Sequence, residues 1–174
     1  MTTKDIFEVI HDRRSIRHFT NEPIKKEDLT AIAEAARATP TSVNLQQRKF
    51  TMVQNKELIN KLATALGSVT GQRDYDFYNP DAIFLISSPR GYSYSQIETG
   101  LAVQNAYLAA TALGYGTVWT DQIRNNCDEL PVREVLDEMD IPSNHICWTV
   151  LPMGVPANQP TPKERVEEIN IIED

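Results

Sequence analysis

Gln96 to Leu113 is the longest helical pattern in the chain, and it constrains the fold more than any other stretch. Leu101, Ala102, Ala106, Ala109, Ala110 and Leu113 form a wide stripe in which small residues predominate. Small side chains let another backbone come close, so this helix needs a neighbour. It is either the central helix of a core or one half of a helix pair between two copies of the chain. AIFLIS, Ala82 to Ser87, adds a second constraint. A continuous apolar run of strand length is what a strand covered on both faces requires.

The other elements interleave with these two. Ile6, Val9 and Ile10 give Asp5 to Arg13 a helical period, and Leu29, Ile32, Ala33 and Ala36 do the same for Glu27 to Ala38. PTSVNLQQ, Pro40 to Gln47, is rich in turn formers and reads as a polar loop. KFTMVQ, Lys49 to Gln54, alternates as a strand does. Asn55 is placed to cap a helix through Leu66, with Gly67 as its stop. Gly67 to Asp81 is polar and aromatic and reads as an excursion over a site. TVW is expected as a short strand, Pro131 to Leu136 as a short helix and ICWTVLPMG as a further strand. Helices and strands so mixed predict a sheet covered by helices. No GxGxxG and no Walker lysine motif occurs, which disfavours dinucleotide binding on a Rossmann scaffold.

At 174 residues the chain fits one domain, residues 1–174, with no internal repeat or boundary. Residues 156–174 form its C-terminal arm. Ile169, Ile171 and Ile172 would be out of place in a disordered tail; they dock either on a partner subunit or on the chain's own core. The net charge of −7 excludes nucleic acid as a main partner, because such binding neutralises phosphates with clustered Lys and Arg. No run of 18 apolar residues occurs and MTTKDIFEVI lacks the apolar stretch of a signal peptide, so no membrane partner and a cytoplasmic location are expected. Cys127, Cys147 and the three histidines are scattered, which leaves metal chemistry without support and the thiols as filler.

Against that acidity stands RRSIRHF, with Arg13, Arg14 and Arg17 around Ser15. Arginine presents a planar fork of donors, so the cluster suits a dianionic phosphate, and a solvated basic patch paired with Asp or Glu is the plain alternative. Lys163 and Arg165 are further cations that the fold could bring to the same phosphate.

Four stretches in order, RRSIRHFTNEPI, AARATPTSVNLQQRKF, ETGLAVQNAYLAATALGYGTVW and MGVP with the Lys/Arg pair beyond it, resemble the FMN-dependent nitroreductase family. The resemblance implies an α+β fold, a central mostly antiparallel sheet flanked by helices, in an intertwined homodimer with FMN at the interface. By the same resemblance Arg13, Arg14 and Ser15 hold the FMN phosphate together with Lys163 and Arg165, and Arg17 lies near the pyrimidine edge of the ring. Pro40, Thr41, Ser42, Asn44 and Gln46 match the loop contributed by the other subunit. Trp119, Thr120 and Asp121 match the segment against one flavin face, with a backbone N–H near Asp121 approaching N5. Gln47-Arg48 or Arg48-Lys49 stands where members often carry Pro-Trp.

The implied activity is a ping-pong transfer from NADPH or NADH through flavin N5 to a nitroaromatic, quinone or similar small acceptor, with no catalytic side chain required. The rivals are a flavin-binding module without nicotinamide turnover, and a same-fold enzyme acting on reduced flavin or halogenated substrates.

Overall fold

The apolar run at Ala82–Ser87 is buried on both sides, as its sequence demands. The computed structural model describes residues 5–173, so residues 1–4 and 174, the two ends of the expected domain and arm, lie outside the described residues. Four strands and five helices are formed among the described residues. They are α1 (Ile6–Asp12), α2 (Lys26–Arg37), β1 (Lys49–Val53), α3 (Lys56–Thr70), β2 (Ala82–Pro89), α4 (Ser95–Ala112), β3 (Gly116–Thr117), α5 (Leu130–Glu138) and β4 (His145–Gly154). Two 3-10 turns, Ser42–Asn44 and Gln122–Asn125, sit in the connections.

The strands order as β1-β2-β4-β3 and every pairing is antiparallel. Side chains alternate along β2. Ala82, Phe84 and Ile86, with Leu151 and Met153 of β4, face Leu29, Ile32 and Ala36 of α2 and Ala102, Ala106 and Ala110 of α4. Ile83 and Leu85, with Cys147 and Val150, face Ile59, Leu62 and Leu66 of α3 and Val132, Val135 and Leu136 of α5. The architecture is therefore α+β, one sheet between two helical layers, and the stripe of alanines is spent on the core of one layer. Both cysteines are buried in the other layer, and burial raises the Cys147 thiol well above its ordinary pKa.

The β2 register against β4 slips between Ile86, opposite Thr149, and Ser87, opposite Cys147. Trp148 is thus the extra residue of a β-bulge, the device that lets Cys147 and Val150 share a face and turns the indole aside.

Three boundaries differ from the sequence reading. Gly67 does not end α3; the helix continues to Thr70 and stops at Gly71, whose φ of 75° suits a left-handed cap. Gly67 is needed for another reason. A Cβ there would lie 2.4 Å from the Gln72 carbonyl oxygen, so the chain folds back against a bare helical backbone. Of the strand expected at TVW only Thr117 is kept, paired together with Gly116 before it, because Trp119 turns out and pairing resumes as a single bridge at Thr120. α5 is longer than Pro131–Leu136, with Pro131 in its first turn, where a missing N–H costs nothing. The Asn55 cap is formed as expected, its side chain accepting from the Leu58 N–H at 3.1 Å.

Candidate functional site

The RRSIRHF segment is an extended strip laid against the edge of the sheet. The Ile16 N–H donates to the Thr117 carbonyl at 3.0 Å, and Thr20 N–H to that of Val155 at 2.8 Å. Two glycines permit the approach. A Cβ on Gly116 would meet the Ile16 side chain at 2.7 Å, and one on Gly154 would meet the Phe19 ring at 2.9 Å. Ile16 is buried as the anchor, and Arg13, Arg14 and Ser15 before it are half-buried while Arg17 is exposed. The root of the C-terminal arm runs beside the same strip: Ala157 N–H donates to the His18 carbonyl at 2.9 Å, and the Gln159 amide to that of Asp12 at 3.3 Å.

None of the three arginines has a carboxylate partner among the described residues, although the chain carries 24 Asp and Glu against 17 Lys and Arg. Arg13 stacks its guanidinium 5.1 Å from the centre of the Tyr107 ring. Arg17 lies 5.9 Å from that of Tyr78. Arg14 donates to the His11 and Arg13 carbonyls, while its buried Nε has no partner. Beside Arg14 a cleft of about 200 Å³ opens between Tyr115, Pro156 and Gln159.

Tyr107 of α4 ties two parts of the site together. Its ring carries Arg13, and its hydroxyl accepts from the Trp119 N–H at 2.6 Å. Trp119 is 56% exposed, whereas Thr120 is buried and exchanges backbone hydrogen bonds with Val150. Asp121 faces Arg124 at 3.6 Å. The excursion after α3 does reach this edge. Phe77, Tyr78 and Asn79 all have positive φ, Phe77 is fully buried as the anchor, and Tyr78 presents its ring to Arg17. Left-handed backbone at aromatic residues is held only where the surroundings enforce it.

Pro40 to Gln46 is also strained. Val43, Asn44 and Gln46 take φ of 42°, 60° and 51°, and Val43 projects almost wholly into solvent. Pro40, Asn44 and Gln46 are exposed, Thr41 and Ser42 half-buried. The loop is pinned from behind by a pair that sequence reasoning missed. Arg48 and Glu98, with side chains only 3% and 4% exposed, face each other at 4.0 Å. Arg48 donates to the Thr39 hydroxyl and carbonyl and to the Glu98 carbonyl. Glu98 accepts from the Ser42 N–H at 2.7 Å and from the Tyr92 hydroxyl at 2.6 Å. Burial lowers the Arg48 pKa, and the hydrogen bond to Glu98 raises that of Tyr92 to about 12. A charged residue just before a strand, at the place of an expected Pro-Trp, was the only available signal.

The structure therefore gathers Arg13, Arg14, Ser15 and Arg17 on one strip, next to the Trp119–Asp121 segment. The Pro40–Gln46 loop is pinned to the N-terminal end of α4. Lys163 and Arg165 lie in the extended arm, exposed, with no hydrogen bond or ion pair among the described residues. No cluster of His, Cys, Asp and Glu that could hold a metal occurs among the described residues, and no helix there is long and apolar enough to cross a membrane.

Residues 10–155 match the model of the nitroreductase family. An oxygen-insensitive NADPH nitroreductase of Salmonella typhimurium is 30% identical over 91% of this chain and 69% of its own. An FMN reductase [NAD(P)H] of Bacillus subtilis is 27% identical over 94% of this chain and 71% of its own. Among solved structures, a nitroreductase with bound FMN from Bacteroides fragilis superposes with a TM-score of 0.86 at 27% identity, over 98% of this chain and 100% of that one. Another with bound FMN, from Desulfitobacterium hafniense, gives 0.81 at 26% identity, over 98% and 99%.

Proposed function

This chain belongs to the nitroreductase family, and we propose that its FMN-dependent NAD(P)H oxidoreductase activity serves nitroaromatic, quinone or similar small acceptors through a ping-pong mechanism. The observation that carries this reading is the arginine strip. Three guanidinium groups without a carboxylate partner among the described residues, in a chain of net charge −7, repel one another unless an anion joins them. The donor set fits FMN. Arg13, Arg14 and Ser15 offer charge-assisted hydrogen bonds to the phosphate, and the buried, unpartnered Nε of Arg14 has a donor to give.

When bound, FMN would supply the two-electron chemistry that links a nicotinamide donor to the acceptor in two half-reactions. The chain's own part is to hold and polarise. Arg17 brings positive charge to the pyrimidine edge, where reduction concentrates negative charge, and Tyr78 keeps its guanidinium in place by stacking. Tyr107 fixes Arg13 and the Trp119 backbone relative to one another. Trp119, Thr120 and Asp121 would hold one face of the ring.

The molecule works as a homodimer on this reading. Thr41, Ser42, Asn44 and Gln46, with Pro40 before them, reach the flavin of a second copy, which accounts for a strained loop that projects Val43 into solvent and touches little of its own chain beyond Glu98. Residues 156–173 continue as an arm onto the partner and bring Lys163 and Arg165 to a phosphate. The compartment we infer is the cytoplasm.

Reconstitution of apoprotein tests the assignment. Parent protein is expected to bind FMN far more tightly than riboflavin, and Arg13→Ala to weaken FMN by about 10- to 100-fold, from the roughly 1.5–3 kcal/mol of a charged hydrogen bond. The folded spectrum should persist. Equal FMN retention by parent and Arg13→Ala would remove the phosphate site from this strip.

A further inference from the structure

Phe77, Tyr78 and Asn79 hold φ of 53°, 66° and 50° in succession, and only the asparagine is at ease there. Such a run persists where the surroundings fix it. Before it, the Gln72 N–H donates to the Gly67 carbonyl at 2.9 Å and the Tyr75 N–H to that of Gln72 at 3.2 Å, so the chain turns back on α3. Within it, the Asp76 carboxylate accepts from the Tyr78 N–H at 2.8 Å and the Asp76 carbonyl from the Asn79 N–H at 2.9 Å. Phe77 is fully buried and meets the Tyr75 ring edge-on at 4.9 Å, and the Tyr75 hydroxyl donates to Gln122 at 3.2 Å. After it, Lys56 donates to Asn79 Oδ1 at 3.0 Å, and the Asp81 carboxylate accepts from the Ile24 N–H and the Gln54 amide, each at 2.8 Å.

The Tyr78 side chain takes no part in these fixings. Its hydroxyl makes no hydrogen bond among the described residues, and its ring, 36% exposed, lies 5.9 Å from the Arg17 guanidinium. Arg17 in turn is exposed and makes no hydrogen bond or ion pair among the described residues. The strained fold-back thus holds one ring against one cation.

We infer that Tyr78 is a positioning residue which, through Arg17, raises the reduction potential of the flavin. The inference rests on the reading above that Arg17 meets the pyrimidine edge of FMN. Two electrons and one proton taken up by a flavin leave one added negative charge on the ring, so a cation kept at that edge favours the reduced state over the oxidised one. An exposed arginine that swings into water gives little of this effect. One resting on an aromatic face stays in place and keeps its full charge, whereas a carboxylate partner would hold it equally well and cancel the field.

The test reads the two-electron midpoint potential of the FMN-loaded full chain by equilibration with a reference dye, and the Kd of apoprotein for oxidised FMN. Tyr78→Asn removes the ring and keeps a residue that accepts positive φ, so the fold-back survives. It is expected to lower the ratio of reduced to oxidised FMN affinity about fivefold, a potential about 20 mV lower. Tyr78→Phe should keep the parent potential. Arg17→Gln should lower it at least as far as Tyr78→Asn does, and adding Tyr78→Asn to Arg17→Gln should change nothing more. A tyrosine that served only the fold would move the melting temperature and the Kd and leave the potential where it was. A parent-like potential in Tyr78→Asn, with that of Arg17→Gln lowered, overturns the role of Tyr78 and leaves the flavin reading intact. So does a shift that persists in the Arg17→Gln background, or one that Tyr78→Phe shares. A parent-like potential in Arg17→Gln overturns the placing of Arg17 at the flavin, and the role of Tyr78 with it.

Discussion

Arg48 and Glu98 are 50 residues apart in sequence and almost wholly removed from water, a costly placement for two charges. The pair is incompletely satisfied, since Arg48 Nε and Glu98 Oε2 find no hydrogen bond. What it secures is position. Glu98 accepts the Ser42 N–H, and Arg48 clamps Thr39, so the two ends of the strained Thr41–Gln46 turn start from a fixed base. Removing one partner strands the other charge and is expected to cost about 3–5 kcal/mol, whereas removing both together is nearly neutral. Arg48→Met should therefore lower the melting temperature by on the order of 10 °C. Arg48→Met with Glu98→Leu should recover most of that loss but still release FMN more readily, because Ser42 has lost its acceptor. Calorimetry alongside flavin-release rates separates the two effects; a double variant that melts and holds flavin like the parent would deny the pair any positioning role. Beyond the charge that stands where Pro-Trp is expected, nothing local in the sequence announces this pair. Each residue reads alone as an ordinary surface charge, and only the fold brings them together.

Among the elements, those set by a single strong period were legible and those set by a close approach were not. Ala82–Ser87 and Gln96–Leu113 followed directly from apolar run length and helical spacing, because burial on two faces leaves no other pattern. Gly67 was read as a helix stop on its usual meaning, yet its role is contact with the Gln72 carbonyl. The positive φ at Val43, Gln46, Phe77 and Tyr78 was equally hidden, since none of these residues favours it and tertiary contacts impose it. The arginine strip was legible as a string; its lack of carboxylate partners among the described residues and its seat on Gly116 and Gly154 were not. Gly67→Ala discriminates between the two readings of that glycine. Helix propensity alone promises a gain of about 1 kcal/mol inside α3. The 2.4 Å approach predicts a loss instead, seen as a lower denaturant midpoint with an unchanged slope. A stabilised variant would show that the fold-back after α3 yields without cost.

At the scale of the whole molecule, large apolar side chains stand in solvent on α1, on α4 and along the C-terminal arm. Phe7 is 68% exposed on α1 and Ile97 67% exposed on α4, while Val166, Ile169, Ile171 and Ile172 line an arm with no helix or strand of its own. On the homodimer reading proposed above, these residues belong to its interface. The alanine stripe of α4 faces inward, so a helix pair between copies would use Ile97 and Leu101 on its outer side. The double variant Ile169→Asp with Ile172→Asp leaves Lys163 and Arg165 in place and charges only the arm. In sedimentation the parent should run at twice the 19.7 kDa chain mass, and the variant should dissociate in the micromolar range and lose FMN in parallel. A parent that sediments as a flavin-retaining monomer would contradict the shared site.

That this chain holds FMN and draws electrons from a nicotinamide is read from the visible spectrum of purified protein under anaerobic conditions, before and after addition of NADPH or NADH, and again after a nitroaromatic. Flavin bands near ~450 nm should be present, bleach on mixing with one or both nucleotides, and return with the acceptor. Bands that persist through both nucleotides would contradict the oxidoreductase, and a colourless protein that takes up no added FMN would contradict the site itself.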